Sequence, residues 1–218
     1  MPGLRSKWRT ATGSALRSLS DWVNRTAAIG PADDAANNYG RFGKGSIVAW
    51  PTGVGFGEHW IWLGSDTLVA AHVTLSAGMG PGQEMLTEPV VSIGNRCVIG
   101  RGTSIVGHFS IDIGDDVYMG MNVYITDQNH GYEDLGQPIG TQTPNDEAVS
   151  IGSGSWIGSG AVILPGARIG NHVVVGANSV VRGEIPGNSV VVGVPGRVVR
   201  HHDGTTWVRN HPAQPRPG

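Results

Sequence analysis

Residues 151–186 read IGSGSWIGSGAVILPGARIGNHVVVGANSVVRGEIP, and an aliphatic residue recurs in this stretch at every sixth position. A six-residue period matches neither the 3.6-residue period of an amphipathic helix nor the simple alternation of a strand. It is typical of a parallel β-helix, in which three hexapeptides form one triangular turn and the aliphatic side chains stack inside. The recurring residues are Ile151, Ile157, Ile163, Ile169, Val175 and Val181.

The same spacing extends back to Leu63, with three interruptions. The glycine-rich segment 77–89 breaks the register and is predicted to form a loop. A second break follows Ile111, because Ile113 restarts the count two residues later, which indicates a bulge or a lengthened corner. The third is the polar segment 131–150, which is predicted to leave the prism as an arm. Loops on a rigid scaffold commonly carry function, so the arm is the first place to look for a site.

The repeat divides the chain into three parts. Residues 1–40 are predicted to form a helical cap and linker, residues 41–200 the β-helix, and residues 201–218 a polar, disordered tail. In the first coil, between residues 41 and 62, we expect the following residues to point inward: Ile47, Val48, Val54, Phe56 and Ile61.

Four apolar residues of the N-terminal part lie on one face of a short amphipathic helix. We interpret this helix as a cap on the open end of the solenoid, in preference to the alternative of peripheral membrane contact. The four residues are Leu16, Leu19, Trp22 and Val23.

Composition restricts the class of protein. The formal net charge is −2 and the pI is near 6.4, so no strong global field favours nucleic acid or an anionic membrane, and local basic groups must be judged individually. The single cysteine, Cys97, falls on an inward hexapeptide position and indicates a buried thiol in a reducing compartment. No apolar run reaches the length of a membrane span, and the N-terminus lacks the pattern of a signal peptide. The expected location is cytoplasmic.

Three segments together resemble one protein family. They are TDQNHGYEDLGQPI (126–139), VSIGSGSWIGSGAVILPGARIG (149–170) and GVPGRVVR (193–200). They are similar to the hexapeptide-repeat sugar O-acetyltransferases, both the galactoside and maltose enzymes and the branch that acts in exopolysaccharide and capsule assembly. The resemblance implies an all-β solenoid wound as a left-handed parallel β-helix. It also implies a homotrimer, acetyl-CoA as co-substrate without a metal, and a sugar, glycan or glycolipid as acceptor.

The resemblance assigns chemical roles to a few residues. His130 matches the general base that removes the proton of the acceptor hydroxyl. The backbone N–H of Ser159 matches the donor that stabilises the tetrahedral oxyanion. Asp127 and Glu133 are both candidates to orient His130, and the sequence does not choose between them.

Further positions match the two substrate sides of the family's site. On the acceptor side, Gly100 and His108 replace an Asn and an Asp of the galactoside enzymes, so we expect a different acceptor. The acceptor-side candidates are Asn122, Tyr132, Trp156 and His108. The candidates for coenzyme A are Trp156, Ser159, Gly176, Ala177, Ser179, Arg182, Arg197 and Arg200, the arginines matching phosphate contacts.

Three other functions remain open at this point. An N-acyltransferase that acts on an amino sugar would have nearly the same site. A carbonic anhydrase on the same fold needs three histidines that converge on zinc, and the histidine spacing does not give the expected pairs. A non-catalytic scaffold would have no use for the His130 and arginine positions.

Overall fold

The computed structural model describes residues 2–210, and most of them form a left-handed parallel β-helix with three faces, as predicted. The chain passes through face 1, face 2 and face 3 in turn and then returns to face 1. The corners between successive faces are therefore corner 1/2, corner 2/3 and corner 3/1.

Each face is one sheet. Face 1 has seven parallel strands: β1 (Arg41–Phe42), β3 (Ile61–Leu63), β6 (Val91–Ile93), β9 (Ile111–Ile113), β14 (Val149–Ile151), β17 (Arg168–Ile169) and β20 (Glu184–Ile185). Face 2 has nine: β2 (Ile47–Val48), β4 (Leu68–Val69), β7 (Val98–Ile99), β10 (Tyr118–Met119), β15 (Trp156–Ile157), β18 (Val174–Val175), β21 (Ser189–Val192), and the antiparallel β22 (Arg197–His202) and β23 (Trp207–Arg209). Face 3 has five: β5 (Thr74–Ala77), β8 (Ser104–Gly107), β11 (Tyr124–Thr126), β16 (Val162–Ile163) and β19 (Val180–Val181).

The remaining elements are short, with one exception. Strands β12 (Gln128–Asn129) and β13 (Asn145–Asp146) pair with each other outside the prism. Three 3₁₀ helices span Asp34–Asn38, Glu58–Trp60 and Ile139–Thr141. The exception is helix α1 (Pro2–Thr26) at the N-terminus.

The core is a set of stacked aliphatic columns. On face 3, parallel pairing places Ile105 over Ile125, Ile125 over Ile163 and Ile163 over Val181, and all four are at most 1% exposed. Burial of each such side chain contributes about 1.5–3 kcal/mol, so the hexapeptide spacing is a direct requirement of the core. Cys97 is also buried, as predicted, and its thiol lies 3.2 Å from the carbonyl oxygen of Gly114.

Corner 2/3 needs one residue per turn in the left-handed backbone region. Gly102, Asn122, Gly160 and Asn178 occupy this place in successive turns, with φ values of 73°, 56°, 70° and 56°. Gly and Asn are the residue types that tolerate this region best. A Cβ on Gly160 would lie 2.2 Å from Oδ1 of Asn178, so the amide of one turn fills the space left by the glycine above it.

All three interruptions of the repeat lie at corner 3/1. The first loop connects β5 to β6, a lengthened corner connects β8 to β9, and the arm connects β11 to β14. The lengthened corner accounts for the two extra residues before Ile113, as the sequence predicted. Three irregular segments therefore meet along one edge of an otherwise regular prism.

Two of the residues that we expected in the core of the first coil are exposed. Val48 is 3% exposed, whereas Ile47 is 44% and Val54 is 73% exposed. The expectation for Ile47 was wrong because adjacent residues of a strand point to opposite faces. Val54 lies in an irregular segment that has no strand to direct its side chain inward.

The ends of the chain also differ from the prediction. Helix α1 has 25 residues, and its apolar side chains Leu16, Leu19 and Trp22 are more than half exposed, so it does not cover the prism. The segment that follows the helix does cover the end of the prism, because Ile29 pairs with Val48 and Ala36 is only 5% exposed.

At the other end, the predicted disorder of residues 201–218 is wrong for residues 201–210. There β22 and β23 add two antiparallel strands that satisfy the last backbone groups of face 2. Residues 211–218 lie outside the described part. No helix in the described part of the chain has the length and hydropathy that a membrane span requires.

Candidate active site

Corner 2/3 carries a column of small residues on the regular part of the prism. Met121, Ser159 and Ala177 occupy equivalent places in successive turns, and all three are exposed. The hydroxyl of Ser159 accepts a hydrogen bond from the Met121 N–H at 3.1 Å. Within residues 2–210, the backbone N–H of Ser159 has no acceptor. This N–H is therefore available to an outside oxygen atom.

The predicted coenzyme A positions of the next turn divide into two kinds. Ala177 is exposed, and Gly176 is required because a Cβ would lie 2.7 Å from Cγ1 of Val192. Ser179 is fully buried, and its hydroxyl accepts a hydrogen bond from the Gly193 N–H at 3.0 Å. The assignment of Ser179 to the ligand surface was wrong, because its side chain holds the corner together from the inside.

Asp127 secures the lengthened corner at the base of the arm. Its carboxylate accepts hydrogen bonds from the backbone N–H groups of His108, Phe109 and Ser110 at 2.7–2.9 Å. Burial raises the pKa of this carboxyl group, and the three N–H donors oppose that shift. With both oxygens engaged in this way, Asp127 does not orient His130.

His130 follows β12 directly, and its side chain is exposed. Among the described residues, no side chain or backbone group forms a hydrogen bond with its ring. Glu133, the other proposed orienter, accepts a hydrogen bond from the backbone N–H of Tyr132 at 3.0 Å instead. Tyr132 itself is 66% exposed. The imidazole of His130 is thus accessible from solvent at corner 3/1.

His108 has the carboxylate partner that His130 lacks. Its Nδ1 lies 2.6 Å from Oδ2 of Asp146, and its Nε2 lies 3.3 Å from the side-chain nitrogen of Gln83. If the Gln83 amide donates to Nε2, Nδ1 carries the proton and donates to Asp146. The three side chains come from the three irregular segments, so this cluster connects the first loop, the lengthened corner and the arm.

The cluster contains polar atoms without partners. Asp146 lies opposite Gln128 in the β12–β13 pair, and Oδ1 of Asp146 and Nε2 of Gln128 are buried without a hydrogen bond. An unpartnered carboxylate oxygen can accept a hydrogen bond, and an unpartnered amide nitrogen can donate one. Sequence reasoning missed Asp146, Gln128 and Gln83, because hexapeptide periodicity says nothing about which loop residues meet.

The predicted phosphate-binding arginines do not form one cluster. Arg197 and Arg200 lie on β22, and the Arg197 guanidinium donates to the carbonyl oxygen of Gly196 at 2.9 Å. Arg182 lies at corner 3/1, where it forms an ion pair with Glu147 at 2.7 Å. Arg197 and Arg200 therefore lie at face 2, on the same side of the prism as Ser159 and Ala177. Arg182 lies at the arm instead.

Face 2 presents an exposed apolar column next to corner 2/3. Strand register aligns its outward residues across the prism, and Tyr118 and Trp156 are 55% and 57% exposed. The column consists of Ile47, Leu68, Val98, Tyr118, Trp156, Val174 and Val190. Trp156 belongs to this column, and Asn122 is a left-handed corner residue whose side chain lies over Gly102.

Within one chain the two halves of the predicted site are apart. Ser159 lies at corner 2/3 and His130 at corner 3/1, and face 3 separates them. Four residue steps, from Asn122 to Thr126, span that face, which corresponds to about 13 Å. One copy of the chain does not bring the two residues together.

The described residues contain no group of three or more His, Cys, Asp or Glu side chains that could hold a metal ion.

Comparisons with known proteins identify the family. Residues 148–183 match the bacterial transferase hexapeptide family (six repeats), and residues 90–127 match the hexapeptide repeat of succinyl-transferase. A protein named as a lipopolysaccharide biosynthesis O-acetyl transferase, WbbJ of Escherichia coli K12, is 35% identical over 141 residues, which cover 61% of this chain and 72% of WbbJ. The chain belongs to the hexapeptide-repeat acetyltransferases.

Other acetyltransferases of this family match a smaller share of their own length. The galactoside O-acetyltransferase of Escherichia coli K12 is 36% identical over 55% of this chain and 62% of its own length. The probable acetyltransferase Rv3034c of Mycobacterium tuberculosis is 34% identical over 65% of this chain, but the match spans only 42% of Rv3034c.

Solved structures with the same fold include two N-acyltransferases. AntD of Bacillus cereus, in complex with dTDP and coenzyme A, has a TM-score of 0.67 at 17% identity, and the match covers 81% of this chain and 91% of AntD. PerB of Caulobacter crescentus, in complex with coenzyme A and GDP-perosamine, has a TM-score of 0.50 at 20% identity over 70% and 56% of the two chains. Acetyl-CoA as co-substrate fits a hexapeptide-repeat acetyltransferase of this fold.

Proposed function

We propose that the protein transfers an acetyl group from acetyl-CoA to a hydroxyl group of a sugar or glycan, with His130 as general base. The observation that carries this proposal is the unbonded N–H of Ser159 in the column of small residues at corner 2/3. Acyl transfer from a thioester produces an oxyanion that needs a fixed donor, and this N–H is one. The relatives named for lipopolysaccharide biosynthesis and for galactosides support a sugar acceptor.

The reaction then follows by direct attack. The imidazole of His130 removes the hydroxyl proton while the hydroxyl oxygen bonds to the thioester carbonyl carbon. The Ser159 N–H stabilises the negative charge on the carbonyl oxygen. When the carbon–sulfur bond breaks, the imidazolium returns its proton to the leaving thiolate, so the products are the acetyl ester and coenzyme A.

The acceptor lies at corner 3/1 in this proposal. His108, Asp146 and Gln128 form its polar wall at the base of the arm. Tyr132 of the arm is exposed and can cover the sugar ring. On the opposite side of face 3, Ala177 and Gly176 line the pantetheine arm of coenzyme A, and Arg197 and Arg200 bind its phosphates.

The active enzyme is a homotrimer in this proposal. Because face 3, about 13 Å wide, separates His130 from Ser159 in one copy, a complete site needs His130 of one copy and Ser159 of a neighbouring copy. The exposed apolar column of face 2 supports this, because an apolar patch of that extent marks an interaction surface. Trp156 and Arg182 then also lie at the junction between copies.

Thiol release from acetyl-CoA tests the proposal when it is measured across sugars, nucleotide sugars, glycolipids and amino sugars. Release that depends on a sugar without an amino group, with an ester product that hydroxylamine cleaves, is the expected result. Release with amino sugars alone and a product that resists hydroxylamine would establish N-acyl transfer instead. Release that no acceptor stimulates would remove the catalytic proposal.

A further inference from the structure

Helix α1 has an exposed apolar stripe that the rest of the chain does not cover. Leu16, Leu19, Trp22 and Val23 recur at intervals of three and four residues, which places them on one side of the helix. The first three are 66%, 55% and 58% exposed. A contiguous stripe of large apolar side chains on an exposed helix marks a surface that contacts a partner.

The charge of the helix points to what covers the stripe. Its sequence contains five basic residues and one acidic residue, a net charge of +4, within a chain of net charge −2, so the remaining residues carry a net −6. At 100° per residue, Arg9 and Arg25 flank the two edges of the apolar stripe. A basic, amphipathic helix with tryptophan and leucine on the apolar side is suited to the interface of an anionic membrane.

We propose that α1 docks the enzyme on an anionic lipid surface, with its apolar stripe in the acyl boundary and its arginines at the headgroups. The acidic body of the protein is repelled by the same surface, so the helix lies on the membrane and the prism extends away from it. The proposal does not depend on the acetyl-transfer reaction or on the residues assigned to it.

A bundle of α1 helices from several copies is the competing arrangement. It would bring net charges of +4 together, and the helix has one acidic residue, Asp21, to offset them. Stable helix bundles place opposite charges beside the apolar seam, which this sequence does not provide. The charge pattern therefore favours lipid over a second copy.

Co-sedimentation of the full-length protein with vesicles tests the proposal. We expect binding to vesicles of phosphatidylcholine with about 30% phosphatidylglycerol, at least tenfold weaker binding to pure phosphatidylcholine, and weaker binding at high salt. Replacement of the stripe (Leu16→Gln, Leu19→Gln, Trp22→Gln) should abolish binding. Arg9→Gln with Arg25→Gln should weaken it about 25-fold, at about fivefold per arginine.

Controls separate this surface from the alternatives. Ser14→Gln with Asn24→Gln changes the polar side of the same helix and should leave vesicle binding unchanged. The thermal unfolding transition of the stripe variant, measured by circular dichroism, shows whether the prism is still folded. The proposal is overturned if the wild-type protein binds neither vesicle, if the stripe variant binds as well as the wild type, or if the stripe variant changes only the oligomeric state.

Discussion

His130 and His108 are two imidazoles of corner 3/1 with different surroundings. His130 is exposed and makes no hydrogen bond with the described residues, whereas His108 contacts Asp146 on one nitrogen and Gln83 on the other. A general base needs a ring nitrogen that the acceptor can reach. Both ring nitrogens of His108 are engaged, so we propose His130 as the base and His108 as a contact for the acceptor.

Replacement of His130 with alanine tests its role as base. We expect kcat to fall by about 10²–10⁴ because the acceptor hydroxyl loses its proton acceptor, while acetyl-CoA binds with unchanged Kd. Steady-state kinetics and calorimetry measure the two quantities. His59→Ala, at an exposed histidine far from the arm, is the matched control. Unchanged turnover in the His130 variant would assign the base elsewhere, first of all to His108.

Asp146→Asn tests the proposed polar wall of His108, Asp146 and Gln128. The substitution keeps the size of the side chain but removes the charge that pairs with Nδ1 of His108, and a charged hydrogen bond contributes about 1.5–3 kcal/mol. We expect KM for the acceptor to rise about tenfold or more, with kcat and acetyl-CoA binding little changed.

Asp134→Asn is the matched control for this prediction, because the Asp134 carboxylate bonds only to Gly136 and Gln137 of the arm itself. A rise in KM for acetyl-CoA rather than for the acceptor would contradict the placement of Asp146 at the acceptor site.

The sequence predicts single site residues better than their partners. It singles out His130 because a histidine begins the segment that breaks the repeat. It does not reveal Asp146, since the pairing of β12 with β13 depends on how the arm folds back. It also assigns Ser179 to the ligand surface, although the burial of a small polar residue at a corner is visible only in three dimensions.

At the scale of elements, the lengthened corner depends on one buried carboxylate. The extra residues between β8 and β9 leave three backbone N–H groups without strand partners, and Asp127 accepts from all three. Buried N–H groups without acceptors are costly, so the corner and the carboxylate form one structural unit. The same unit positions His108 at the base of the arm.

Asp127→Asn should therefore destabilise the fold. An amide has one acceptor oxygen without charge, and we expect the free energy of unfolding in urea to decrease by about 2–4 kcal/mol. Asp112→Asn, an exposed substitution on the outside of face 1, should change it by less than about 0.5 kcal/mol. Equal stability of the two variants would show that the corner does not depend on the Asp127 carboxylate.

The regular elements follow from sequence because one period fixes the inward residue of every turn. The structure of the two ends of the chain does not follow from the sequence in this way, because both ends lie outside the hexapeptide repeat. Helix α1 is longer than predicted, and β23 forms where we expected a disordered tail. At the C-terminal end the structure depends on contacts beyond the hexapeptide, at the edge of face 2 that β22 and β23 complete.

At the scale of the whole molecule, the apolar column of face 2 is the proposed contact between copies. Tyr118→Asp places a charge in the middle of this column without touching the core, because the side chain points outward. We expect sedimentation to change from a trimer to a monomer, with loss of acetyl transfer. Ser92→Asp, at an outward position of face 1, should remain trimeric. A trimeric and active Tyr118 variant would exclude face 2 as the interface.

The proposed division of one site between two copies leads to the most direct test of the account. Ser159→Pro removes the proposed oxyanion donor and leaves His130 intact, whereas His130→Ala leaves the donor intact. Each variant alone should be inactive. When the two are refolded together into mixed rings, about a quarter of the sites combine His130 of one copy with Ser159 of the next, and acceptor-dependent thiol release should return to about a quarter of the wild-type rate. A mixture as inactive as its two parents would contradict the shared site.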